Sequence, residues 1–153
     1  MTALAFFVPG FPAPQGSKRH VGNGVMVESS KRVKPWREDV RQTALLAAGG
    51  AVFAGPTLVT LRFVFPTLKS DPYRAHHTTR PDVDKLVRST LDALVSSGVL
   101  KDDSLVFSLQ ANKFHGARAG VHVELEDFTV LAASMRERAK DAAAEARKAA
   151  RAS

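Results

Sequence analysis

The sequence predicts an α+β fold: a single domain with a small mixed β-sheet packed with two main helices, plus an Ala-rich C-terminal helix or tail. Three observations carry that expectation. Residues 58–65 alternate along a strongly apolar run, as a strand with one buried face does. Val83, Leu86, Val87, Thr90, Leu91, Leu94 and Val95 recur every three to four residues, tracing one face of a helix. The last stretch is rich in Ala, Arg, Lys and Glu, which favour helix. A length of 153 residues with 44% hydrophobic side chains allows one domain with a true core and an appendage. The domain is placed at residues 1–128 and the basic Ala-rich tail at 129–153.

The elements follow in order. Residues 4–8 are apolar and end at Pro9-Gly10, a first short strand. Residues 11–24, with Gln15-Gly16-Ser17-Lys18-Arg19-His20, read as a basic loop. Residues 25–27 suit a short strand or one arm of a hairpin, and 29–34 a basic connector. Pro35 is read as opening a helix, with Val40, Ala44, Leu45 and Ala48 at helical spacing and Gly49-Gly50 at its end. After the strand at 58–65, residues 67–80 form a polar loop containing His76-His77. The second helix runs from about 83 to 97, with an acidic start suited to its positive end and Gly98 as a natural stop. Residues 105–114 and 120–125 read as two strands paired with each other across a turn at 116–120. The tail, with like-charged pairs at Glu137–Asp141 and Asp141–Glu145, is expected to be a frayed or conditionally ordered helix.

Composition narrows the function. The net charge is +7, of which residues 129–153 contribute +3 and residues 1–128 contribute +4, so the basic character does not rest on the tail. A basic chain suits a polyanion such as nucleic acid. The absence of cysteine excludes a disulfide framework, a thiolate metal site and a cysteine nucleophile. The start has no basic region before its short apolar run, so no signal peptide and no membrane span are expected, and the location expected is cytoplasmic.

The chemistry concentrates in Arg80-Pro81-Asp82-Val83-Asp84-Lys85-Leu86-Val87-Arg88, followed by Leu91-Asp92-Ala93-Leu94 and Lys101-Asp102-Asp103. Crowded carboxylates repel, and a divalent cation removes the penalty. Pro81 biases Arg80 toward extended backbone. With Asp82 as the last extended or N-cap residue and Asp84 in the first turn, both acids would converge on one ion. Arg88, four residues on, shares the face of Asp84, and Asp92 lies a turn further along. A plainer reading stands beside it: Asp82 only caps, Asp84 only meets the helix dipole, and Arg88 makes a weak surface ion pair. All-oxygen acids without Cys or His suit Mg²⁺, with Mn²⁺ as a substitute.

The order Pro-Asp-x-Asp, an apolar helix with Leu-Asp-Ala-Leu, a Gly, then Asp-Asp-Ser-Leu-Val resembles the RusA-like family of Holliday junction resolvases, many of them phage endodeoxyribonucleases. The loop Val8-Pro9-Gly10-Phe11-Pro12-Ala13-Pro14-Gln15-Gly16-Ser17-Lys18-Arg19 is similar to the amino-terminal loop of the phage members. The resemblance implies that Asp82, Asp84 and Asp103 are the catalytic, metal-binding acids, with Asp102 beside them. It places Arg88 where the family has a functionally important lysine. Arginine keeps the charge but does not give up a proton, so Lys85 is a candidate for part of that task. It further implies a Mg²⁺-dependent, structure-selective endonuclease that resolves branched DNA such as four-way junctions; from the chemistry of such an ion, hydrolysis is expected to leave 5′-phosphate and 3′-hydroxyl ends.

Geometry raises one difficulty. Asp84 to Ser97 rises about 20 Å, and the residues from Gly98 to Asp103 span about the same when extended. Asp103 reaches the helix start only if the chain doubles straight back or the helix ends early; otherwise the acids meet across a subunit boundary. Two symmetric strands at a junction favour a homodimer with two-fold symmetry. DNA contacts are assigned to Lys18, Arg19, Lys31, Arg32, Lys34, Arg37, Arg41 and Arg80. Trp36 is either a base-stacking platform or a core anchor, and His76 and His77 belong to a solvated loop. Two rivals are a non-catalytic DNA-binding module with structural acids and a nucleotide-sugar transferase using Asp-x-Asp on Mn²⁺.

Overall fold

In the computed structural model, residues 2–16, 18–20, 22, 26–28 and 31–152 are described. The elements are β1 (Ala3–Pro9), β2 (Lys18–His20), β3 (Met26–Glu28), α1 (Val33–Ala48), β4 (Thr57–Pro66), α2 (Val83–Ser97), β5 (Val106–Gly116), β6 (Gly120–Asp127) and α3 (Thr129–Ala152), with a 3-10 turn at Asp103–Leu105. The α+β expectation holds, with a mixed four-stranded sheet in the order β1-β6-β4-β5 and a separate β2-β3 hairpin.

The alternation in β4 does what it predicts. Val59, Leu61, Phe63 and Phe65 are buried, while Leu58, Thr60, Arg62 and Val64 are half-exposed on the opposite face. The buried set joins Val8 of β1, Val121, Val123 and Leu125 of β6, Trp36, Val40 and Ala44 of α1, and Leu86 and Leu94 of α2 in one core. Full burial of a Leu or Phe side chain contributes about 1.5–3 kcal/mol, so Leu86 and Leu94 are the largest apolar anchors of α2 in this core.

Several expectations are corrected. Strands β5 and β6 do not pair with each other. β4 lies between them, parallel to β5 and antiparallel to β6. A helical crossover such as α2 returns the next strand parallel to the one before it, which places β5 beside β4 in the same direction. The chain from Gly116 to Gly120 then passes over the end of β4, and β6 fills the gap between β4 and β1. The helix α1 starts at Val33, two residues before Pro35, because a first-turn proline forfeits no intrahelical bond. Residues 18–20 and 26–28 form the hairpin that the basic loop conceals. The tail is one continuous helix, α3, none of whose residues is buried. Trp36 is 3% exposed in the core, which removes it as a base-stacking platform. His77 is also buried, not solvated: its ring stacks on Phe65 at 4.1 Å, and burial together with nearby Lys113 and His115 holds its pKa below the usual histidine value.

Candidate active site

The chain enters α2 through a cis peptide bond between Arg80 and Pro81. Lys113 on β5 donates from Nζ to the carbonyls of Thr79 and Pro81, both at 2.7 Å, so the sheet edge grips this entry from below. Asp82 is the N-cap with extended backbone, and Asp84 occupies the first turn, as the Pro-Asp-x-Asp pattern predicts. The Asp82 side chain makes no capping hydrogen bond and instead pairs with Lys85 at 3.6 Å.

The difficulty of reach is resolved within one chain. Helix α2 runs to Ser97, and Gly98 stops it in the left-handed region at φ 79°, donating to Val95 O at 3.0 Å. The Leu100 amide then turns back to Leu94 O, and Lys101 bonds to Phe53 O. The chain therefore reverses along the helix, and Asp103 arrives on the face that carries Asp84, Arg88 and Asp92. These four residues line an open cleft of about 420 Å³ together with Gln15, Gly16, Val87 and Leu91.

The opposite wall comes from the N-terminal loop, which three bonds stitch to α2. The Gln15 amide donates to Lys85 O at 3.0 Å, Ser89 Oγ donates to Ala13 O at 2.7 Å, and Gln15 Nε2 donates to the Asp92 carboxylate. Gly16 has φ +119°, and a Cβ built there would lie 2.9 Å from Arg88 Nη1. The positive φ favours glycine here, and without a Cβ the loop lies close to the guanidinium.

The structure thus places Asp84, Arg88 and Asp103 in one cleft, whereas Asp82, Lys85 and Asp102 are not among its lining residues. Asp102 accepts a hydrogen bond from the Ser104 amide at 2.8 Å, and the Ser104 bonds hold its carboxyl below the usual range. It serves the local turn. Among the described residues, no three His, Asp or Glu side chains stand close enough to hold an ion by themselves.

Of the basic residues, Lys34, Arg37 and Arg41 gather in a shallow groove on α1 with Glu38 and Ser96. Arg41 is anchored to Glu38 at 2.7 Å; hydrogen bonds from Arg41 and Gln42 lower the Glu38 carboxyl to about 2. Arg32 lies 5.5 Å over the ring of Phe11, while Lys31 and Arg80 are exposed. The contacts expected of Lys18 and Arg19 rest on side chains outside the described residues. Sequence reasoning missed Gln15 and Lys113 as parts of the site. The tight Pro-Ala-Pro-Gln-Gly run was a signal for the first, whereas nothing local marks a mid-strand lysine.

Comparison with known proteins places the chain in a family. The family described as endodeoxyribonuclease RusA matches residues 9–126. A relative in Bacillus subtilis (strain 168), the uncharacterized protein YqaN, is 28% identical over 142 residues, covering 84% of this chain and 99% of its own.

Proposed function

Because the chain belongs to the RusA endodeoxyribonuclease family, we propose that it is a Mg²⁺-dependent endonuclease that resolves four-way and other branched DNA. The observation that carries the reading is that Asp84, Asp103 and Arg88 line one cleft within a single chain. Two carboxylates in an open cleft suit Mg²⁺, which keeps several waters and binds through one or two carboxylates plus substrate phosphate oxygens. Mn²⁺ would substitute. Asp84 and Asp103 are the assigned ligands. Asp82 stands outside the cleft lining, in an exposed ion pair with Lys85 that costs little to give up, and would have to turn in on cation binding to serve as the third. Asp102 is left to its turn.

When bound, the cation lowers the pKa of an attacking water and neutralises charge on the leaving 3′ oxygen. The protein's own groups do the rest. Arg88, held against Gly16, faces the scissile phosphate and stabilises the charge that builds on its oxygens. Its guanidinium does not deprotonate, so it acts by charge alone. Lys85, which directly follows Asp84, is assigned as a second cation for the same charge. Lys34, Arg37 and Arg41 hold flanking phosphates, with Lys31, Arg32 and Arg80 as outlying contacts. Junction symmetry favours a homodimer with one complete cleft per subunit.

The test is a synthetic four-way junction. The protein should nick it with Mg²⁺ and leave it whole in EDTA, with ends that ligate without repair. Asp84→Asn and Asp103→Asn should bind the junction yet cut it at least about 100-fold more slowly. Binding without any metal-dependent cleavage by the unsubstituted protein would make it a DNA-binding module instead.

A further inference from the structure

Three acids line the cleft, and they are not equivalent. Asp84 and Asp103 are exposed, whereas Asp92 is half-buried and accepts a hydrogen bond from Gln15 Nε2 across the cleft. The other end of that amide, Oε1, is buried and has no partner among the described residues. An ionised carboxylate only accepts, so the amide must turn its NH₂ toward Asp92, and nothing else competes for its rotation. The backbone of Gln15 is fixed to α2 through Lys85 O, and its successor is Gly16, whose backbone rests on the Arg88 guanidinium. A side-chain strut therefore joins the two walls beside the group assigned to the phosphate.

We propose that Gln15 and Asp92 form a positioning strut: Asp92 accepts from Gln15 and is not a metal ligand, and the strut holds Gly16 against Arg88 so that the guanidinium faces the scissile phosphate. This rests on the endonuclease reading, and it divides the acids by role. A cation ligand needs a carboxylate charge; a strut needs only an acceptor. Asparagine supplies an acceptor without charge.

The experiment is a set of single-turnover cleavage rates with Mg²⁺ at saturating junction, together with junction affinity in EDTA, for Gln15→Glu, Asp92→Asn, their combination and Asp84→Asn. Asp92→Asn should stay within about threefold of the parent, since the amide oxygen still accepts. Gln15→Glu sets two carboxylates face to face and should cut at least about tenfold more slowly, with junction affinity unchanged. The double variant Gln15→Glu/Asp92→Asn restores the bond with its polarity reversed and should recover most of the rate. An Asp92→Asn variant as inert as Asp84→Asn would overturn the proposal, and so would a double variant no faster than Gln15→Glu. Hydrogen exchange reads the strut without any cleavage. Protection across residues 11–16 should fall in Gln15→Glu and return in the double variant; unchanged protection overturns the strut. Should the parent itself cut nothing, the endonuclease reading fails, and the exchange data still decide whether the strut exists.

Discussion

At the scale of single residues, the site depends on side chains that lie outside the acidic motif as much as on the motif itself. Lys113 is the sharpest case. Its ammonium joins two backbone carbonyls that precede Asp82 and Asp84, so the position of both acids is set partly from the neighbouring strand. Replacement by Met keeps the aliphatic stem and leaves both carbonyls without this donor. Each lost hydrogen bond of this kind costs about 0.5–1.5 kcal/mol. Lys113→Met should therefore lower the melting temperature by several degrees, at about 2–4 °C per kcal/mol for a chain this size. Cleavage of the junction should slow about tenfold, the effect of roughly 1.4 kcal/mol on the barrier. Junction affinity should hold, because Lys113 sits under the loop and not on the basic groove. A variant that melts lower yet cuts at the parental rate would show that the loop positions itself.

At the scale of elements, α2 was legible because every local signal agreed: an apolar stripe of period 3.6, an acidic start and a terminal Gly. The boundaries read from the sequence match those of the structure. Partnerships between strands were not legible. Alternation in β5 and β6 says that each has two faces, and it says nothing of which strand lies beside which. That choice is made by the α2 crossover, a feature some 40 residues long. The wall formed by Pro12 to Gly16 was hidden for the same reason, since its bonds to Lys85, Ser89 and Asp92 span 70 to 77 residues. On α1, by contrast, the i, i+4 spacing of Arg37 and Arg41 puts both on one face, and Lys34, placed in the connector by the sequence, joins them in a groove because the helix begins at Val33. Each phosphate contact contributes about 0.9 to the slope of log affinity against log salt on duplex DNA. Changing all three to Gln should reduce that slope by about 2–3 and leave the cleavage rate at saturating junction unchanged. An unaltered slope would move the DNA path off α1.

At the scale of the whole molecule, the described structure divides into a sheet-and-helix body that holds one core and a long α3 that contributes nothing buried to it. The helix touches the body near its start, where Leu131 and Met135 lie with Phe107 and Phe128. Stability is therefore a property of the body, and so is its response to acid. His77 and His122 both have pKa values pushed down, first by burial and then by neighbouring cations: Lys113, His115 and Arg74 around His77, and Arg62 and Arg118 around His122, where Glu124 opposes the shift. Between the depressed folded value and the ordinary value of 6.5, the unfolded imidazole holds a proton that the folded one does not. The unfolded state then binds more protons, so stability rises with pH through that window, is fully present above it, and is lost as acid enters it. The melting temperature should accordingly fall as the pH drops from about 7.5 to about 5.5. His77→Phe fills the same slot against Phe65, keeps the backbone bond from residue 77 to Lys113 O, and cannot take up a proton. Relative to the parent, this variant should gain stability steadily across that range, with His122 accounting for the acid sensitivity that persists. A gap in melting temperature that stays constant from about pH 8 to about pH 5.5 would mean that His77 contributes nothing to the acid response.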